Sequence, residues 1–276
     1  MEKNNPAANN ESSLLRKIPQ VNRARGFRLY LSNGKRLVDL WLNGGAAVLG
    51  HTPPNLLREL KNTASRGLYA PFPHFAEGRF LKALSKLLPG RSFRLYAAPP
   101  QELIKLHDEG KAKFWRPYVD QQNPFTINNE DGSLLVPVLP GIQTWRNGLP
   151  FGLCVIVWQT ENAVSEETLS QFPPNDALPP VLLAAAARGV YDLVAAPERG
   201  KLNLPLIFKA LKNGKWQRNG IYLTLKEEVN GKDWESLFYK FMEAGFLLPP
   251  SPSQPVILPG ELSGGEQAKL ASVIKI

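Results

Sequence analysis

Residues 39–54 read DLWLNGGAAVLGHTPP, and the fold is decided by how this stretch joins its flanks. Gly45 and Gly50 have the spacing of a phosphate-binding loop, but His51 stands where that loop needs its lysine. The lysine is what reaches the β- and γ-phosphates, so nucleotide binding is set aside here. Pro53-Pro54 reads as a helix start, because proline at the first helical position gives up only an N–H that is orphaned anyway. Leu56, Leu57 and Leu60 then share one face of a helix over 53–65. Upstream, Arg25–Asp39 carries two alternating runs around Asn33-Gly34, a hairpin signal, since the turn needs positive φ angles. Downstream, Phe80, Leu81, Leu84, Leu87 and Leu88 line one face of a helix over 75–88, which Pro89-Gly90 ends.

Further along, Phe93–Ala97 reads as a strand and Glu102–Lys113 as a helix. Asp120–Ser133 is polar and turn-rich and reads as a connection. Leu134–Leu139 and Phe151–Trp158 are apolar runs of strand length. Gln159–Pro179 reads as a loop with a short acidic helix, Pro180–Ala195 as an Ala-rich helix, and Leu204–Leu211 as a short one. Gly220–Leu225 is a strand, Trp234–Ala244 a helix, and Phe246–Leu248 an extended piece. Ser263 with Glu266 forms a capping box before the last helix. The run Leu262–Glu266 also matches the signature of transporter ATPases, but too little chain follows it for the strand that signature precedes. Helices and short strands alternate without a repeat, so the fold class is α/β, or α+β.

The chain has 276 residues, 43% hydrophobic and 21% charged, ordinary globular usage with enough length for a large core. Residues 1–13 are polar and read as a disordered lead, not a signal peptide. No apolar run has the length of a membrane span. A single cysteine, Cys154, excludes an internal disulfide, and a cytoplasmic protein is expected. The net charge of +9 is spread out; its densest runs, Lys111–Arg116 and Lys209–Arg218, carry no nucleic-acid motif, so nucleic-acid binding is the weakest of the readings. His51, His74 and His107 show no metal-ligand spacing, so no metal is expected. No Gly-x-Ser-x-Gly run exists, and Cys154 lies in an apolar strand, so nucleophilic catalysis has no support.

The order and spacing of these pieces resemble the class-III aminotransferases, pyridoxal-phosphate enzymes of fold type I, and within them most resemble glutamate-1-semialdehyde aminomutase. Asn33-Gly34, Asp39, Gly44-Gly45 and Leu49-Gly50-His51-Thr52-Pro53-Pro54 follow that family's opening, and Tyr69-Ala-Pro-Phe-Pro continues it. Pro180–Leu193 resembles its Asn-Pro-Leu-Ala-x-Ala-Ala helix. Phe238–Ser251 and Glu261–Gln267 resemble its ending. The resemblance covers roughly two thirds of the chain and implies a large and a small domain: 14–92 as the N-terminal part of the small domain with interface helices, 93–195 as a reduced large domain, and 196–276 as the C-terminal small domain. Family chains are longer, and the resemblance places the missing part between Arg116 and Leu134. The strands left, Phe93–Ala97, Leu134–Leu139 and Phe151–Trp158, correspond to family strands that are neighbours. A sheet of about three strands is therefore expected, its new edge covered by Asp120–Ser133 or by a partner.

The resemblance also implies what has been lost. Where the family has the lysine that holds the cofactor as a Schiff base, this chain has Gln143, in a loop whose Gly148, Pro150 and Gly152 keep their places. An amide is no nucleophilic amine. Pro99 and Pro100 stand where a Ser-Gly pair cradles the cofactor phosphate; proline has no N–H to donate and cannot take glycine's φ angles. Glu102 keeps its register just beyond. Asn175, or Asp176, falls near the family's phosphate-contacting threonine, which the partner subunit supplies. The Asp that pairs with the cofactor's ring nitrogen lies in the missing stretch. Trp41, Gly45, Glu102 and Gly148 are candidate remnants of the pocket. The expectation is thus a non-catalytic binding or scaffold protein without cofactor, in a homodimer or in a heterodimer with an active relative. The alternative is a pyridoxal-phosphate enzyme of residual or altered activity.

Overall fold

The computed structural model describes residues 13–127, 133–146, 148–159, 166–212 and 214–275. The expected disordered lead falls almost wholly outside these residues; Ser13 within it is already helical.

The N-terminal part opens with three antiparallel strands, β1 (Val21–Arg25), β2 (Arg28–Leu31) and β3 (Arg36–Asp39). Gly34 turns β2 into β3 with a φ of 79°, which only glycine takes without strain. Helices α1 (Pro54–Ala64) and α2 (Ala76–Leu87) follow within a residue or so of the expected bounds. The strand β1 had not been read from the sequence; its side chains are mostly exposed, so it carries no alternating pattern.

The central part holds β4 (Arg91–Tyr96), α3 (Gln101–Asp108), β5 (Ala112–Trp115), β6 (Leu134–Pro137), β7 (Thr144–Arg146), β8 (Leu149–Phe151), β9 (Cys154–Gln159) and α4 (Glu166–Ser170). Its sheet runs β4-β9-β6-β5. The three expected strands are thus neighbours. β9 is antiparallel to both β4 and β6, and β5 is parallel to β6. Two expectations need correction. The helix over 102–113 stops at Asp108, where Gly110 turns the chain with a φ of 73°, and Ala112–Trp115 becomes a fourth strand. That strand lies along the edge of β6; residues 128–132 of the 120–133 segment expected there lie outside the described residues. The run over 151–158 is likewise not one strand: Gly152, φ 78°, divides it between the β7–β8 hairpin and β9.

The C-terminal part begins with α5 (Pro180–Val194), which packs on α1 and α2 and buries Leu183, Ala184, Ala187 and Val190. Then come α6 (Pro205–Leu211), the hairpin β10 (Trp216–Asn219) and β11 (Tyr222–Leu225), α7 (Gly231–Glu243), β12 (Phe246–Leu247), β13 (Val256–Ile257) and α8 (Gly264–Ile274). β12 joins β3 in parallel, so the last third of the chain completes the N-terminal sheet. Asn230 caps α7 by accepting from the N–H groups of Lys232 and Asp233. The capping box of α8 is present: Ser263 Oγ accepts from Glu266 N at 3.2 Å, and Ser263 N donates to Glu266 Oε2 at 2.8 Å. Arg28 of β2 reaches the same carboxylate through two nitrogens at 3.0 and 2.7 Å. The α/β class is thus observed as several small sheets among helices. Among the described residues, no helix is long and apolar enough to cross a membrane.

Candidate functional site

Gln143, the residue on which the sequence reading turned, is 1% exposed. Its side-chain oxygen accepts from Leu139 N at 2.7 Å, and its amide nitrogen donates to the carbonyls of Pro137 and Leu153, each at 3.1 Å. Both donors and one oxygen lone pair are therefore used, and the group tethers the end of β6 to the start of β9. A lysine has no acceptor for Leu139 N, and its ammonium would lose water without gaining a counter-ion.

The loop opposite is built as tightly. Leu42, Asn43, Gly44 and Gly45 have consecutive positive φ angles of 48°, 50°, 66° and 111°. A left-handed turn of this length costs about 1–2 kcal/mol for each non-glycine residue, so something must impose it. Asp39 does so at one end, its Oδ1 accepting from the N–H groups of Trp41 and Leu42 at 2.8 and 2.9 Å. At the other, Asn43 Nδ2 donates to the carbonyl of Gln143 at 2.8 Å. Gly44 and Gly45 have no space for a side chain. A Cβ on Gly44 would lie 2.5 Å from the Trp145 ring, and one on Gly45 would lie 2.8 Å from Val138 Cγ1. The candidate remnant Gly45 is thus a packing glycine under Val138.

The remaining candidate positions are each explained by local structure. Pro99 precedes, and Pro100 caps, α3, whose Leu103 and Ile104 N–H groups turn back to the Pro100 carbonyl. Asn175 and Asp176 serve their own chain: Asn175 Oδ1 accepts from Leu95 N at 3.2 Å, and Asp176 Oδ2 accepts from Ala97 N at 2.8 Å. A carboxylate at the end of β4 would repel a phosphate group brought there. Glu102 lies in the first turn of α3, facing a polar surface groove with Lys105 and Gln171. Gly148, φ 74°, turns β7 into β8, with Arg146 paired to Leu149. Asn147-Gly148 is a two-residue hairpin signal that the sequence reading absorbed into the lysine loop.

Trp41 lies elsewhere. Its Nε1 donates to Gln254 at 2.6 Å, and it lines a mostly apolar cavity of about 360 Å³ with Leu15, Ile18, Asn43 and His51. His51 Nε2 meets Asp39 Oδ2 at 2.8 Å, which leaves both Asp39 oxygens engaged. Cys154 is fully buried in β9, and burial pushes its thiol up to about 12, so it stays protonated and inert. Among the described residues no cluster of three His, Cys, Asp or Glu could hold a metal. At the positions that the sequence resemblance gives to the cofactor, the residues present do not fit pyridoxal phosphate: the expected lysine is a sealed amide, the expected phosphate cradle has prolines and a carboxylate beside it, and the glycine loop is filled by Trp145 and Val138.

No family model matches the chain. An uncharacterized protein of Borreliella burgdorferi is 26% identical over 92% of this chain and 89% of its own length. An uncharacterized protein of Treponema pallidum is 38% identical, but over only 32% of this chain and 28% of its own length. Solved structures are more informative about the fold. Ornithine aminotransferase of Plasmodium yoelii has a TM-score of 0.61 at 14% identity, over 93% of this chain and 92% of that chain. A β-phenylalanine aminotransferase of Variovorax paradoxus has a TM-score of 0.59 at 14% identity, over 98% and 93%. A glutamate-1-semialdehyde aminomutase of Pseudomonas aeruginosa has 0.59 at 12%, also over 98% and 93%. The scores do not set the aminomutase above the ornithine enzyme. The chain therefore has the fold of the class-III aminotransferases.

Proposed function

We propose that this protein is a non-catalytic relative of the class-III aminotransferases, acting as a binding or scaffold subunit in the cytoplasm. The observation that supports the reading is Gln143, a buried amide with three hydrogen bonds to backbone, at the position where the sequence resemblance expects a Schiff-base lysine. Pro99-Pro100, Asp176 and the Trp145 ring on Gly44 add independent obstacles to cofactor binding. A self-associating subunit is part of this reading. Tyr69, Phe72 and Phe75 are 63%, 56% and 68% exposed within a few residues of one another, and clustered apolar surface of that kind marks an interaction face. Titration of the purified protein with pyridoxal phosphate, followed by borohydride reduction and peptide mapping, tests the proposal. No saturable absorbance change and no defined adduct is expected. A stoichiometric adduct on one lysine overturns it in favour of an enzyme of altered activity.

A further inference from the structure

Arg116 directly follows β5, at the carboxyl ends of the parallel pair β5 and β6, the side of an open sheet on which ligands bind. Its guanidinium carbon lies 5.2 Å from the Phe114 ring and 5.8 Å from the Trp145 ring, which meet edge-on at 5.3 Å. Arg116 Nε is sealed from solvent without an acceptor, and so is Trp145 Nε1. The residue as a whole is half-buried. None of the ion pairs among the described residues includes Arg116. The backbone beyond it is fixed: Tyr222 Oη donates to the Pro117 carbonyl at 2.8 Å, and Tyr118 Oη to the Ala196 carbonyl at 2.7 Å. Gly220 lies so close to Tyr118 O that any side chain there would collide with it.

A guanidinium keeps its charge in proteins, so one packed between two rings without a counter-ion is costly unless an anion completes it. We infer that Arg116 anchors an oxyanion site, in which a carboxylate or phosphate group of a small ligand binds the guanidinium against the Phe114–Trp145 wall and draws the Trp145 indole N–H to it. Burial independently draws the guanidinium below its ordinary value, as expected of a cation missing its partner. The site needs no Schiff base and stands whether or not the non-catalytic reading holds.

The test is thermal unfolding of the full chain with sodium succinate, inorganic phosphate or sodium chloride at matched ionic strength. Parent, Arg116→Met and Trp145→Phe proteins are compared. A saturable rise with succinate alone identifies a carboxylate site, and one with phosphate alone a phosphate site; chloride controls for screening. Arg116→Met should raise the midpoint without added anion, because an unpaired cation is gone, and should abolish the anion-dependent rise. Trp145→Phe keeps a ring, loses the N–H and should weaken the rise several-fold. If Arg116→Met does not fold, Trp145→Phe decides alone. Equal anion effects on parent and variants, or none on the parent, overturn the proposal.

Discussion

Two loops of this molecule were built by different means. The β2–β3 hairpin closes around Gly34 in open space, with nothing near the position a Cβ would take. The Leu42–Gly45 loop is left-handed throughout and jammed under Trp145 and Val138, held from one side by Asp39 and from the other by the Gln143 carbonyl. The first is specified by two adjacent residues. The second is specified by residues that only the folded sheet brings together. The lesson is that the outer hairpin follows local rules, while the central loop exists only through long-range contacts.

The largest effect should come at the centre. Gln143→Leu keeps the side chain's bulk but leaves Leu139 N and the carbonyls of Pro137 and Leu153 without their partner. We expect a loss of about 3–4 kcal/mol in urea unfolding, from the cost of orphaned buried groups. Gly44→Ala against Gly34→Ala then measures the contrast directly. Both change a positive-φ glycine, costing about 1–2 kcal/mol for the backbone alone. Gly44→Ala must also displace the Trp145 ring, so its total should be about 2–4 kcal/mol. Equal losses at the two glycines would remove the distinction between the loops.

Smaller effects belong to the outer parts. The Arg28 guanidinium, with help from Ser263, holds the Glu266 carboxyl at about 2, well below its ordinary range. Because the folded value is lowered, the pair's stabilisation is complete above the ordinary carboxylate range and is lost as pH falls toward about 2. Glu266→Gln can keep the capping box and loses only the charge pair, so about 0.5–1 kcal/mol should go at neutral pH. The gap between parent and variant should close on acidification; a gap that persists at the acid end contradicts the assignment. Smallest of all, a thiol reagent should leave Cys154 unmodified until the chain unfolds, since a buried, protonated thiol in β9 is not nucleophilic. Rapid labelling of the native protein would show that β9 opens.

The same contrast explains what could be read from the sequence. The hairpin at Asn33-Gly34, the proline-started helices α1 and α5 and the capping box at Ser263 were legible because each rests on residues close in the chain. The neighbouring strands of the central sheet were legible through the resemblance. Strand β5 was missed because Lys111–Trp115 continues the charged pattern of α3; only its parallel pairing with β6 makes it a strand. The β7–β8 hairpin was missed although Asn147-Gly148 announces it, because Gly148 had been counted as a remnant of the lysine loop. The role of Gln143 was not legible at all. Two of its three partners are carbonyls of β6 and of the turn before β9, and backbone atoms leave no mark in the sequence.

The central claim is that Gln143 belongs to the core and not to a cofactor pocket. Its most direct test introduces a lysine there. A Gln143→Lys protein is incubated with pyridoxal phosphate, reduced with borohydride and mapped by mass spectrometry. The account predicts no adduct at position 143 in the folded protein, because the space is filled by backbone and the amide's partners. A stoichiometric adduct on the introduced lysine of a folded protein would show that the pocket survives, and would contradict the account.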